Sequence, residues 1–472
     1  MKRFIHLGAA VIVMMCPSRA FSTAFVLNLA LAPAATASEE KSKVVPDFSG
    51  YASFEAGEIM RGYSFNYNSS TGEVDHGWVQ RAFIGLLAEA AMSEHLRILV
   101  GAEGMLNLSF SIGQRLNDQY LETQRPLVKF SLWHGEGIYS LGDPGRFSLQ
   151  VEAGYFPFKY SSESRNFGEY LFRTGCYPGI IINRFDRAYA DLLGVRVGNT
   201  VSGAFNHSLL LTSELTDFLF PPGDFSLSYI ADFSIPGIVT LGGGASLYRI
   251  LSINRAVTTP KDRETIYKIA NSRTITDALN NPIVVGDTSF LSFAGIKLMG
   301  RFTFDMKGVI PLDFIKKMFG KEDLKLYSEV AVLGLKNYPN TIDMTKNYYN
   351  KLGKRMPVTV GFNVPALRYL DVLNIELEHY NSDYPNGFRR SFKDQFPLPD
   401  QENPQAVHEK LKWSVYAKRT IGAHFSLIGQ IANDHFIPIS HTLIMGKGSQ
   451  DLQDVTLRHG DWWWALKMMF HF

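Results

Sequence analysis

The chain has 472 residues, with 47 Lys and Arg against 45 Asp and Glu, 13% aromatic residues, 40 glycines and two cysteines. A balance this close to neutrality excludes the polycationic surface of a nucleic-acid binder, and two cysteines exclude a disulfide-stapled scaffold. Beyond the N-terminal leader, no stretch supplies the roughly 18 apolar residues that a spanning helix needs.

The first 37 residues read as an export signal. Lys2 and Arg3 precede the apolar stretch FIHLGAAVIVMM, a second apolar stretch AFVLNLALAPAA follows, and Ala35–Ala37 place small residues before the polar SEEKSK. Cleavage is expected after Ala37, with an uncleaved anchor as the alternative. Met15 stands where a small residue would have to precede a lipidated cysteine, so Cys16 is not read as a lipoprotein site. Removal of Lys2, Arg3 and Arg19 leaves one basic residue fewer than the acidic ones, and Cys176 as the sole cysteine. Residues 38–46 are then a short periplasmic segment, and 47–472 form one unit.

From there the sequence alternates with period two, the signature of strands with one apolar face. Strands are expected near 47–60, 78–92, 95–108, 126–141, 146–159, 187–199, 204–216, 225–235, 238–252, 290–304, 325–338, 355–365, 371–384, 411–420, 423–436 and 461–472, about sixteen in all. In the third, Leu96, Ile98, Val100 and Ala102 oppose Arg97 and Glu103. In the tenth, Ile296, Leu298 and Phe302 oppose Lys297 and Arg301. In the fourteenth, Leu411, Trp413, Val415 and Ala417 oppose Lys412, Ser414, Tyr416 and Lys418. The last strand sets Trp462, Trp464, Leu466, Met468, Phe470 and Phe472 on a wholly apolar face.

A soluble sandwich also alternates, but it has no reason to sort its connections by length. Links after even-numbered strands are mostly tight, such as GDPG at 142–145. Those after odd-numbered strands are mostly long and polar: 61–77, 109–125, 160–186, 253–289, 339–354, 385–410 and 437–460. This parity, with an even strand count, predicts an all-β fold: a transmembrane antiparallel β-barrel of about sixteen strands with long external loops and short periplasmic turns. Two links break the parity. DFLFPPGD after the seventh strand is short, and DMKGVIPLDFIKKMFGKEDL after the tenth is long and reads as partly helical; either is a place where a strand could be miscounted. The external stretch KDRETIYKIANSRTITDAL is expected to form a short helix, read as a solvated cap. Gly242-Gly243-Gly244, inside a strand, mark a bulge or close packing. Aromatics near strand ends, including Trp133, Tyr139, Tyr155–Tyr160, Tyr380 and Trp462–Trp464, are expected in interfacial girdles.

WALKMMFHF resembles the terminal assembly signal of outer-membrane proteins, which implies that Leu466, Met468, Phe470 and Phe472 are read by the barrel assembly machinery. Strand number and loop parity resemble the general porins. GYFPFKYSSESRNFGEYLFRTGCYPG, SEVAVLGLKNYP and RMPVTVGFNVPALRYLDVLNIELEHY are similar to segments of uncharacterised outer-membrane barrels from fibre-degrading bacteria, a likeness that transfers no activity. In general porins the third loop folds into the barrel and narrows it. The resemblance therefore implies a constriction built by 160–186, whose Glu163, Arg165, Glu169, Arg173, Arg184 and Asp186 would set its charge. Phe167, Tyr170, Phe172 and Tyr177 would hold it to the wall or contact a sugar. The alternative is an ordinary surface loop.

With lipid on the apolar face, the opposite face lines the lumen. Its candidates are Arg81, Arg97, Glu103, Glu152, Arg196, Lys297, Arg301, Glu376, Glu378, Lys412, Lys418 and Lys467. Charges of both signs predict a transverse field across a water-filled pore, and the alternative is pairing across a plugged interior. No nucleophile elbow, phosphate-cradling loop or metal spacing occurs, so no catalytic residue, metal or cofactor is expected. The expected function is passive diffusion of small hydrophilic solutes across the outer membrane, with outer-membrane lipid as surroundings and a homotrimer as one assembly. The alternatives are a narrow or plugged barrel displaying adhesive loops, and an outer-membrane lipid hydrolase.

Overall fold

The computed structural model describes residues 45–65, 71–111, 127–143, 147–172, 189–201, 203–213, 225–251, 265–276, 282–292, 295–310, 318–335, 351–381, 410–433 and 459–472. The expected leader, 1–37, lies outside them. Residues 46–472 form one compact unit.

Its strands in chain order are β1 (Asp47–Phe65), β2 (Thr71–Ala91), β3 (Leu96–Ser111), β4 (Leu127–Asp143), β5 (Phe147–Phe158), β6 (Ala190–Val201), β7 (Phe205–Ser213), β8 (Phe225–Ile235), β9 (Val239–Leu251), β10 (Thr265–Thr276), β11 (Pro282–Ser292), β12 (Gly295–Asp305), β13 (Lys325–Val332), β14 (Val358–Asn363), β15 (Val372–His379), β16 (Leu411–Ile421), β17 (Phe425–Ala432) and β18 (Trp462–His471). Sixteen of them pair antiparallel, each with its neighbour, in one closed barrel; β10 and β11 form a separate hairpin. Closure is made where β1 meets β18, from Tyr51 opposite His471 to Arg61 opposite Trp462. A closed ring leaves no unpaired edge, the condition for strands to cross a bilayer.

All sixteen expected strands are present. The two links that broke the parity insert no strand into the barrel, because β7 pairs directly with β8 and β12 directly with β13. The long link after β12 opens with a 3-10 turn, Met306–Val309, whose Lys307 ammonium donates to the carbonyls of Gly320 (3.1 Å), Lys321 (2.6 Å) and Asp323 (2.7 Å). The short helix expected within 261–279 is not formed. Thr265, Ile266, Tyr267, Ile269, Thr274 and Ile275 instead build β10, and residues 290–292 belong to the same hairpin rather than to the barrel. β-branched and aromatic residues suit a pleated strand, and here they outweigh the scattered charges that suggested a helix.

The faces are inside out relative to a soluble barrel. Ile84 is 52% exposed and Leu466 42%, whereas Glu55 and Lys467 are each 2% exposed. Leu86, Val100, Leu209, Leu211, Ile375, Leu377, Met468 and Phe470 continue the outer band. Removing one such side chain from water is worth roughly 1.5–3 kcal/mol, so a continuous band left outside requires an apolar solvent, which a bilayer supplies. Trp464 and Trp78 meet edge to face at 5.8 Å on this outer surface, as a girdle would. The girdle expectation fails for Trp133, Phe156, Phe158, Tyr160, Tyr380 and Trp463, all of which pack in buried clusters. Trp133 packs on the inward Tyr51, and the two tyrosines are buried with the inner cluster around Phe156 and Leu171.

Candidate pore constriction

Inward-facing charges are arranged in sectors. On β1, Glu55 lies directly across from Arg81 of β2 on one side and Lys467 of β18 on the other, and it is ion-paired with Arg81. Nearby, the Tyr51 hydroxyl donates to Glu103. A second sector pairs Arg196 Nη1 with Glu152 at 2.9 Å across β5 and β6. Lys412 lies directly across from Glu378 and donates to the Asn433 carbonyl at 3.2 Å. Lys418 is half-buried two residues beyond Tyr416 along the inner face of β16. Arg97 pairs with Glu89 at 2.9 Å at the short-turn rim, where its side chain is 46% exposed.

The third sector contains the connection that follows β5. From Lys159 to Phe172 this chain runs inside the ring, against the inner faces of β13 and β15. Glu376 accepts three successive backbone N–H groups, from Arg165 (2.6 Å), Asn166 (2.6 Å) and Phe167 (3.1 Å), and the Tyr327 hydroxyl at 2.5 Å. Glu329 accepts the N–H groups of Glu169 (2.9 Å) and Tyr170 (2.8 Å) and the Tyr160 hydroxyl at 2.6 Å. The Tyr170 hydroxyl donates to Glu378 at 2.6 Å. A loop carries orphan N–H groups that a sheet would satisfy, and carboxylates are the strongest neutral-donor acceptors a wall can present.

The loop is also folded upon itself. Gly168 and Glu169 have φ of +82° and +63°, a left-handed pair that reverses the chain. The reversal brings the Glu169 carboxylate to the N–H groups of Tyr160 (3.1 Å) and Ser161 (2.5 Å). Burial, followed by the neighbouring Glu329 charge, pushes the Glu169 carboxyl up to about 8, against the pull of Lys159 and those two N–H groups. Phe167, Tyr170, Leu171 and Phe172 are buried, and Phe158 and Phe172 meet edge to face at 5.5 Å. These aromatics fasten the loop and leave no ring face for a solute.

The glycine run of β9 makes room for this packing, as expected. A Cβ on Gly244 would stand 2.8 Å from Leu171 Cδ1, and one on Gly242 would stand 2.5 Å from Arg301 Cγ and collide with Asp232. Arg301 and Asp232 form an ion pair at 2.6 Å in the space so created. Lys297 donates to the Leu171 carbonyl at 3.2 Å.

Of the residues expected at the constriction, Glu163, Arg165 and Glu169 come together with Lys297, Arg301, Glu376 and Glu378. Arg173, Arg184, Asp186 and Tyr177 lie outside the described residues. Arg81, Glu103 and Lys467 occupy the sector around the β1–β18 seam, and Glu152 and Arg196 the one on β5 and β6. The sequence reading missed Glu55, Asp232, Tyr327 and Glu329. Each sits on the polar parity of its strand, so alternation carried the signal for all four.

No family model matches this chain, and no curated protein matches it. Solved structures do resemble it in course: Pseudomonas putida OprB (12% identity, 90% of this chain and 94% of that one, TM-score 0.44), Salmonella typhi OmpF in complex with daunomycin (10%, 90% and 97%, TM-score 0.44) and a triple mutant of Rhodopseudomonas blastica porin (10%, 91% and 100%, TM-score 0.39). In strand number and closure, the barrel resembles the general porins. No residue role is carried over from them.

Proposed function

We propose that this protein is an outer-membrane channel through which small hydrophilic solutes diffuse passively, narrowed by the loop that follows β5. The observation that carries this reading is the placement of residues 159–172 inside the ring, with five backbone N–H groups on Glu376 and Glu329 of strands remote in sequence. A loop committed so fully to the wall is a fixed aperture, and selection then depends on size and on the charges that still face water. The expected leader at 1–37 would export the chain. The apolar face of Leu466, Met468, Phe470 and Phe472 would be read during assembly and then meet outer-membrane lipid, and a homotrimer would suit the architecture.

A second reading is favoured by one observation: inward charges such as Glu376 and Lys297 are at most 1% exposed. A narrow or closed barrel that displays its long connections for adhesion would have such an interior. Single-channel conductance of the refolded protein in a planar bilayer separates the two. Steady openings that widen when residues 162–167 are deleted support the channel. Silence from a folded, heat-modifiable barrel with and without that deletion overturns it in favour of the second reading.

A further inference from the structure

Cations at the constriction are mostly committed. Lys159 donates to the Ser164 carbonyl at 2.5 Å, Arg301 is paired with Asp232, Lys297 is bound to Leu171, and Lys325 is paired with Glu322 at 2.8 Å and reaches Glu163 at 3.9 Å. Arg165 differs. Its backbone N–H is fixed on Glu376, while its guanidinium lies over the ring of Tyr416, 5.5 Å from the centroid. Its Nε, though enclosed, has no acceptor, and no described carboxylate is in ion-pair contact with it.

The reason lies in how the adjacent acids are used. Glu376 has Oε1 occupied by Arg165 N and Tyr327 Oη, and Oε2 by Asn166 N and Phe167 N. A carboxylate with both oxygens filled by neutral donors has no edge left for the parallel fork that guanidinium favours. Glu376 and Glu329 are 0% and 4% exposed beneath the loop, whereas Arg165 is only half-buried. A solute in the lumen therefore meets the cation before Glu376 and Glu329. Beneath the guanidinium lies the buried Tyr416, with Gln430 directly across from that residue and Lys418 the next inward residue along β16.

We propose that the guanidinium of Arg165, seated on Tyr416, is a binding station for small organic carboxylates and gives the lumen a preference for anions. This rests on the channel reading. A carboxylate would take the free guanidinium edge in a two-point hydrogen bond, the guanidinium being held flat by the ring of Tyr416 beneath it. No bond is made or broken, and release requires only that the station be weak enough to leave.

The test is the reversal potential of the refolded channel across an about tenfold KCl gradient, followed by titration with potassium benzoate as a blocker. The expected result is a reversal potential on the chloride side, moving to zero or beyond in Arg165→Gln, with benzoate block weakened about tenfold or more. Arg165→Lys should keep the reversal potential and lose much of the block, because the charge remains and the fork does not. Tyr416→Leu should likewise weaken the block with little change in reversal potential. The loop is held through the Arg165 backbone, so these variants keep its anchoring. A wild-type channel that prefers potassium, or an Arg165→Gln channel indistinguishable from wild type, overturns the inference and leaves the channel reading standing. A folded barrel that passes no current overturns both.

Discussion

Phe472 and Gly50 exchange two backbone hydrogen bonds, Gly50 N–H to Phe472 O at 2.9 Å and Phe472 N–H to Gly50 O at 3.0 Å, beyond the last strand residue of β18. The phenyl ring fills the space that a side chain on residue 50 would need. A Cβ there would stand 2.7 Å from Phe472 Cζ and 2.5 Å from the Gly85 carbonyl oxygen. The ring can swing away, but a carbonyl inside the β1–β2 ladder cannot. Gly50→Val should therefore destabilise the barrel by about 1–3 kcal/mol, as overpacking does, read as a lowered urea midpoint of the refolded protein. Adding Phe472→Ala should recover only part of the loss. Full recovery would show that the ring alone, and not the ladder, was in the way.

Glu376 is the single acceptor of three consecutive loop N–H groups, so its removal should free the loop. Glu376→Ala leaves those groups and the Tyr327 hydroxyl without their partner at a buried position, at a cost of about 1–3 kcal/mol for each donor that stays unmet. The expected phenotype is a noisier and larger conductance, together with trypsin cleavage after Arg165 that the folded parent resists. Unchanged protease resistance would mean that Glu329 and the aromatic packing suffice to hold the loop.

The barrel was legible in the sequence because its determinant is local: alternation along each strand and the sorting of connections by length need no knowledge of neighbours. The inward course of 159–172 was not legible from alternation; it was expected only by resemblance. What fastens that loop is non-local, since Glu376 lies about 210 positions from Asn166 and nothing in FNVPALRYLDVLNIELEHY says which backbone it will meet. Alternation placed Glu376 correctly on the inner face but suggested a solvated pore charge, where burial under the loop makes it an anchor. The hairpin β10–β11 was missed for a different reason. Its mixed charges suited a solvated helix, and only the pairing of Thr274 and Ile275 with Val284 and Ile283 reveals the strand.

Glu55 is flanked in register by Arg81 and Lys467, with all three side chains at most 3% exposed. Removing one partner of a buried ion pair leaves an uncompensated charge and costs about 3–5 kcal/mol. Glu55→Leu should show such a loss in urea unfolding, whereas the double variant Glu55→Leu with Arg81→Met should recover much of it. If the double variant is as unstable as the sum of the two singles, the pair is not coupled and Lys467 or another neighbour carries the charge balance.

Glu169 makes loop docking depend on pH. Its carboxyl moves from an ordinary 4.5 to about 8 when the loop is docked, through burial first and the adjacent Glu329 second. Below 4.5 the group is protonated in docked and undocked loops alike, so docking is at its strongest. Between 4.5 and 8 only the docked loop retains the proton, and each rise in pH weakens docking; above 8 both forms are ionised and the loss is complete. Trypsin access to Arg165 and current noise should therefore both increase from about pH 5 to about pH 8 and level off above it. Glu169→Gln keeps an oxygen for only one of the Tyr160 and Ser161 N–H groups, so it should dock more weakly at low pH, but it cannot ionise and should flatten the dependence. A Gln variant that still loosens over the same range would assign the proton to another group in the cluster.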